Sequence, residues 1–185
     1  MSPAKTTPAA DSLGEIANLR IELKDTDPVI WRQVEAPTSI TLKVLHDIVQ
    51  ATIGWFDYHL WEFTIGKQRY GLPMDEDWWT IPRKEAAKVR LREVLGPRKT
   101  VIDYIYDFGD SWEHRITVTN VRPGDPQVSY PRYIGGAGNG PPEAAAVSLA
   151  SMKCWKPGPI RIIPATPKPS NGWMTTTPTP LTRSR

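Results

Sequence analysis

The sequence predicts an α+β fold: a mixed or antiparallel sheet of hairpins with helix packed on one face, a single domain followed by an irregular C-terminal tail. Three observations carry that expectation. Residues 17–25 alternate apolar and polar side chains with a period of two, residues 42–53 repeat apolar side chains at helical spacing, and two β-rich runs flank the turn Phe108-Gly-Asp-Ser111. Local hairpins with one strong helix between them bury their apolar faces most simply by laying the helix on the sheet.

Leu19, Ile21 and Leu23 share one face of the first strand, with Asn18, Arg20, Glu22 and Lys24 on the other. After Asp27-Pro28, Val29–Val34 reads as a second extended stretch that ends at Ala36-Pro37. Thr41 is placed to cap a helix whose apolar positions are Leu42, Leu45, Ile48, Val49 and Ile53, and Gly54 to stop it. Leu60–Ile65 alternates Trp61, Phe63 and Ile65 inward and turns through Gly66-Lys67 toward Tyr70, a hairpin. Residues 72–88 lack clean periodicity and read as a loop, and Val89–Leu95 as a short helical turn before Gly96-Pro97. Val101–Asp107 and Trp112–Val118 are two strands of a hairpin with Gly109 at its tight position. On the second of these strands Trp112, His114, Ile116 and Val118 share a face.

A chain of 185 residues suits one domain with a tail. The formal charge of +3 suggests a nucleic-acid partner until the charges are located. Residues 144–185 hold six basic side chains (Lys153, Lys156, Arg161, Lys168, Arg183, Arg185) and no acidic ones, leaving 17 basic and 20 acidic residues before them. The body is therefore acidic, and nucleic-acid binding is expected only weakly, through the basic tail. Residues 1–12 and the Pro/Thr-rich segment 144–185 read as disordered around a domain at 13–143. The single cysteine, Cys154, provides no disulfide framework or thiolate metal site, and no run of about 20 apolar residues is present. A cytoplasmic protein without a membrane partner is expected.

Several ordered motifs are similar to a known family: Pro28-x-Ile30-Trp31-Arg32, Thr41-Leu42-x-x-Leu45-His46-x-Ile48-x-Gln50, Gly54-Trp55, His59-Leu60-x-x-Phe63, Tyr104-x-Tyr106-Asp107-Phe108-Gly109-Asp110-x-Trp112-x-His114, Tyr130-Pro131-Arg132 and Gly138-x-Gly140-Pro141-Pro142-Glu143. Together, over about 130 residues, they resemble the plasmid pRiA4b ORF-3-like family. The resemblance implies a bacterial or archaeal protein associated with plasmids or insertion elements, and it transfers no catalytic residue. It also implies an acidic helical ending after Pro-Pro-Glu, where this chain turns basic. In the shifted reading frame the genetic code forces Glu from Met152-Lys153, Leu from Cys154-Trp155, Glu from Trp155-Lys156 and Asp-Asp from Trp173-Met174-Thr175, which fits that ending. The expectation is a change of reading frame just after Glu143; early stop codons in the shifted frame of the coding DNA would refute it.

The histidines and their acidic neighbours are the obvious chemical candidates. His46, His59, Asp107, Asp110 and His114 could in principle bind a divalent metal and activate water, as in a metal-assisted hydrolase or nuclease. No HxH, HExxH or HxxxH spacing occurs, and His114 lies on an apolar face, where a hydrogen-bonded core histidine is the commoner role. Asp107 and Asp110 bracket a turn whose backbone N–H groups their carboxylates can accept. The run Gly135-Gly136-x-Gly138-x-Gly140 lacks the context of a phosphate loop and reads as a flexible loop. Trp31, Trp61 and Trp112 read as core residues, and Trp55, Trp78 and Trp79 as loop aromatics that mark a partner surface. The leading expectation is a non-catalytic binding or accessory module with a protein partner and no cofactor, working through a surface around Trp55, His59, Asp107, Asp110 and His114. The metal-assisted enzyme is the alternative.

Overall fold

The computed structural model describes residues 14–73, 82–97 and 99–143. In chain order the elements are β1 (Glu15–Leu23), β2 (Trp31–Pro37), α1 (Leu42–Ile53), β3 (Trp61–Ile65), β4 (Gln68–Gly71), β5 (Arg83–Glu85), a 3-10 turn (Ala86–Lys88), α2 (Leu91–Val94), β6 (Val101–Tyr106), β7 (Trp112–Pro123) and β8 (Arg132–Ala137). The strands form one mixed sheet in the order β5-β4-β3-β6-β7-β1-β2-β8, in which β4–β5 is parallel and every other neighbouring pair antiparallel.

This corrects the expected fold class. The domain is not a helix-packed α+β arrangement of hairpins: it is dominated by a single eight-stranded sheet, with 45% of the described residues in strands and 16% in helices. Periodicity locates strands one at a time, but the pairs β3–β6 and β1–β7 weld the local hairpins into one sheet through partners far apart in the chain. Two strands also lie where loops were expected. β5 falls within 72–88, and β8 overlaps the first half of the glycine run. That run is packed rather than flexible. A Cβ on Gly136 would lie 2.5 Å from the Trp31 carbonyl, one on Gly140 would lie 2.6 Å from Ile53, and Gly138 sits at φ +77° over Ile30. The loop aromatics Trp78 and Trp79, the segment 1–12 and the tail with its frame-shift expectation lie outside the described residues.

The register sorts the side chains. Trp61 and Phe63 on β3, Tyr106, Tyr104 and Ile102 on β6, Trp112, His114 and Ile116 on β7, and Leu23, Ile21 and Leu19 on β1 point to one face, and all are buried. On that face lies α1. Thr41 caps it by accepting from the Val44 N–H, and Gly54 ends it in the left-handed conformation, donating to the Gln50 carbonyl. Leu42, Leu45, Ile48, Val49 and Ile53 join the core. Burying such side chains stabilises the fold by about 1.5–3 kcal/mol each.

The opposite face is open and ionic. Lys24 spans Asp103 (3.0 Å) and Glu113 (3.2 Å), Arg20 pairs with Glu22 and covers the Trp31 ring at 4.3 Å, and buried Glu62 takes Arg69 and Arg83. Buried Glu35 takes Arg122 and Arg132. Burial alone would raise the Glu35 carboxyl, but its bonds to the two guanidinium groups outweigh this and hold it below the ordinary range.

Candidate functional site

One end of the sheet gathers the polar residues. Three segments meet there: the loop Gly54–Leu60 after α1, the turn Asp107–Ser111 between β6 and β7, and Glu143. Trp55 begins the loop by leaving solvent. Its ring stacks on Tyr106 at 4.8 Å and its indole N–H donates to the Pro141 carbonyl at 2.8 Å.

The next four backbone N–H groups all donate to side chains. Phe56 N–H goes to Glu143 Oε2, Asp57 N–H to Gln50 Oε1 (3.1 Å), Tyr58 N–H to the Tyr106 hydroxyl (2.9 Å) and to Glu143 Oε1 (3.1 Å), and His59 N–H to the Tyr106 hydroxyl (3.2 Å). The Tyr106 O–H in turn donates to Glu143 Oε1. Burial, followed by that bond, raises the Tyr106 hydroxyl well above the ordinary phenol range. With its backbone so held, the loop turns Phe56 (71% exposed), Tyr58 (76%) and Leu60 (46%) to solvent, and the two aromatic rings stack at 5.9 Å.

His46 supports the loop from below. Its ring lies flat on Trp61 at 4.0 Å, Nδ1 is 2.9 Å from the Tyr104 hydroxyl and Nε2 is 2.8 Å from Asp57 Oδ1. Gln50 fixes the proton positions. Its Oε1 accepts from Asp57 N–H, so its amide N–H donates to the Tyr104 oxygen at 3.0 Å. The Tyr104 proton is then free for His46 Nδ1, and the Nε2 proton goes to Asp57. Burial, opposed by Asp57, depresses His46 to about 4.

The expected site residues separate into two groups. His59 and Asp107 do meet, with Nδ1 to Oδ2 at 3.4 Å, and Asp110 joins them by donating its backbone N–H to Asp107 Oδ1 (3.4 Å), which also accepts from Gly109 N–H (2.9 Å). Asp107 sits at φ +57°, a left-handed conformation that Asp and Asn tolerate. Trp55 and His114, by contrast, are core residues. His114 has no exposed side chain, donates Nδ1–H to the Trp112 carbonyl at 3.0 Å and leaves Nε2 without a hydrogen-bond partner among the described residues. Burial, opposed by the backbone of Trp112 and of Tyr104, depresses it to about 4. Sequence reasoning did not assign roles to Asp57, Tyr106, Glu143 or Gln50, whose partners lie 7–87 residues away.

The histidines therefore act in three different settings: over Trp61, beside Asp107 and inside the core. Among the described residues, metal-ligand atoms within 4.8 Å of one another occur at His46, Asp47 and Asp57. There Lys43 already bonds both carboxylates, at 2.6 Å to Asp47 and 3.3 Å to Asp57. A surface hollow of about 260 Å³ lies elsewhere, lined by Leu95–Pro97, Lys99, Thr100 and Val118–Val121, and among the described residues Lys99 is the ionisable one.

The fold and this end-of-sheet cluster define a β-sheet domain that presents a braced aromatic loop. The chain belongs to the family described as plasmid pRiA4b ORF-3-like protein, whose model matches residues 15–148. It is 33% identical over 131 residues to the uncharacterized protein y4hQ of Sinorhizobium fredii (strain NBRC 101917 / NGR234), a match covering 71% of this chain and 66% of that relative. The match thus spans slightly less than two thirds of the curated relative. The fold is similar to the crystal structure of a protein of unknown function, MM3350 from Methanosarcina mazei Go1, with a TM-score of 0.70 and 26% identity over 77% of this chain and 80% of that one. Among the described residues no helix is long and apolar enough to cross a membrane.

Proposed function

We propose that the domain is a non-catalytic binding module that engages a protein partner through the loop Phe56–Leu60. The observation that supports this is the division of labour in the loop. Four consecutive N–H groups are tied to Glu143, Gln50 and Tyr106, while Phe56, Tyr58 and Leu60 remain exposed. Ordering a loop on binding costs free energy, so a loop already held by its own domain loses less on association. Large, stiff aromatic side chains are also the residues that dominate interface energetics.

Site-specific photo-cross-linking in the cell tests this. A photoreactive phenylalanine at position 58 gives a discrete cross-linked product that position 133, an exposed tyrosine on β8, does not, and the product disappears when Phe56→Ser is added. Identical products from both positions, or no product from 58, would contradict the proposal.

A further inference from the structure

Resting on the reading of the Phe56–Leu60 loop as the recognition surface, we infer that its partner presents a cationic segment, with Lys or Arg side chains seated against the stacked Phe56 and Tyr58 rings and drawn by the carboxylates tied to the loop. The carboxylates are placed by contacts rather than by sequence proximity. Asp57 lies between the two aromatic residues and Asp47 reaches the same Lys43. Asp107 is tied to the loop through His59 at 3.4 Å, and Asp110 to Asp107 through its backbone. Glu143 sits beneath the loop on the Phe56 and Tyr58 N–H groups.

Asp57 belongs to the loop and the other four carboxylates are tied to it through these contacts; Lys43 is the permanently charged side chain that pairs with two of them. A partner bearing negative charge would be repelled from this end of the sheet; a guanidinium or ammonium would be attracted and would find two ring faces to lie on. The same domain already makes that type of contact elsewhere. Arg20 covers Trp31 at 4.3 Å, and Arg83 lies 5.7 Å from the Phe108 ring beside the Asp107–Ser111 turn. Asp47 and Asp57 are the more exposed of these carboxylates, at 52% and 40% of the side chain against 16% for Asp107.

The test uses the full chain, 15N-labelled, titrated with acetyl-(Arg)4-amide and, separately, acetyl-(Glu)4-amide. The tetra-arginine peptide is expected to shift the amides of 56–60 and 107–110 saturably, with an affinity that falls as salt is raised. The tetra-glutamate peptide is expected to shift none of them. The variant Asp57→Asn/Asp107→Asn/Asp110→Asn removes the three charges while keeping one acceptor oxygen at each position, and Asn tolerates the left-handed backbone of the first two. With each exposed pair worth about two- to threefold, it should weaken tetra-arginine binding about tenfold.

A variant that removes as many charges from the open face, Glu22→Gln/Asp103→Asn/Glu113→Gln, should change binding less than about twofold. Equal weakening in both variants would overturn the inference by showing attraction to net charge alone. So would shifts centred on the open face, or binding of the tetra-glutamate peptide. If the wild-type chain ignores tetra-arginine while the position-58 cross-link persists, the cationic assignment fails and the loop reading stands. Loss of both removes the loop reading as well.

Discussion

Lowering the pH from 7 to 5 should remove a large part of the domain's stability, and the amount follows from two buried rings. His46 and His114 both have side chains with no exposure, and both are depressed from 6.5 to about 4, chiefly by burial. A depressed histidine stays neutral in the folded state while the unfolded chain takes up its proton. Stability is therefore complete above the unfolded value of 6.5, falls as the pH drops from there, and stops falling once the folded rings also protonate near 4. Two protons give a slope of about 2.7 kcal/mol per pH unit, or about 4 kcal/mol between pH 6.5 and 5, as an order of magnitude. Glu35, also depressed, adds a loss in the same direction at lower pH still. Urea unfolding at several pH values measures the slope. The variant His114→Leu, which replaces a ring whose Nε2 has no hydrogen-bond partner among the described residues, should halve it. Stability that is flat between pH 7 and 5, or a slope unaffected by His114→Leu, would refute the reasoning.

Other substitutions probe the site and its supports. Tyr106→Phe removes the hydroxyl that receives the Tyr58 and His59 N–H groups and holds Glu143, and should cost about 2 kcal/mol, with faster exchange of the His59 amide. A thermal melt should show a drop in Tm of roughly 6–10 °C. Phe56→Ser/Tyr58→Ser should leave stability within about 0.5 kcal/mol in urea unfolding, because both side chains are exposed and the backbone bonds remain. Glu62→Gln removes the buried charge that Arg69 and Arg83 share and should cost about 3 kcal/mol in the same assay. Gly138→Ala places a Cβ 2.8 Å from Ile30 at φ +77° and should cost about 1–3 kcal/mol, read as a lower urea midpoint.

What the sequence made legible was local. The apolar positions 42, 45, 48, 49 and 53 and the caps Thr41 and Gly54 are those of α1, and the inward set Leu19, Ile21 and Leu23 is that of β1. Trp61 and Trp112 are core residues, as their alternation indicates, while Trp31 is only partly buried and lies on the open face under Arg20. Trp55 has no local signal of its burial: it sits in a loop, yet it is 5% exposed because Tyr106 and the Pro141 carbonyl receive it. The strand β8 was hidden for a related reason. Glycines read as flexibility unless the backbone that crowds them is known, and here Trp31, Ile30 and Ile53 supply that crowding. The candidate site was half legible. His59, Asp107 and Asp110 share a surface, but Asp57 and Glu143 acquire their roles only through Gln50 and Tyr106, contacts that no local pattern encodes.

Recognition through the Phe56–Leu60 loop requires that the loop be held in place while its side chains face solvent. Backbone 15N relaxation of the free protein measures that directly. Order parameters for residues 56–59 near 0.85, level with those of β6 and β7, are the predicted result. Values below about 0.6 would contradict it, because the loop would then have to be ordered by the partner rather than by Glu143, Gln50 and Tyr106.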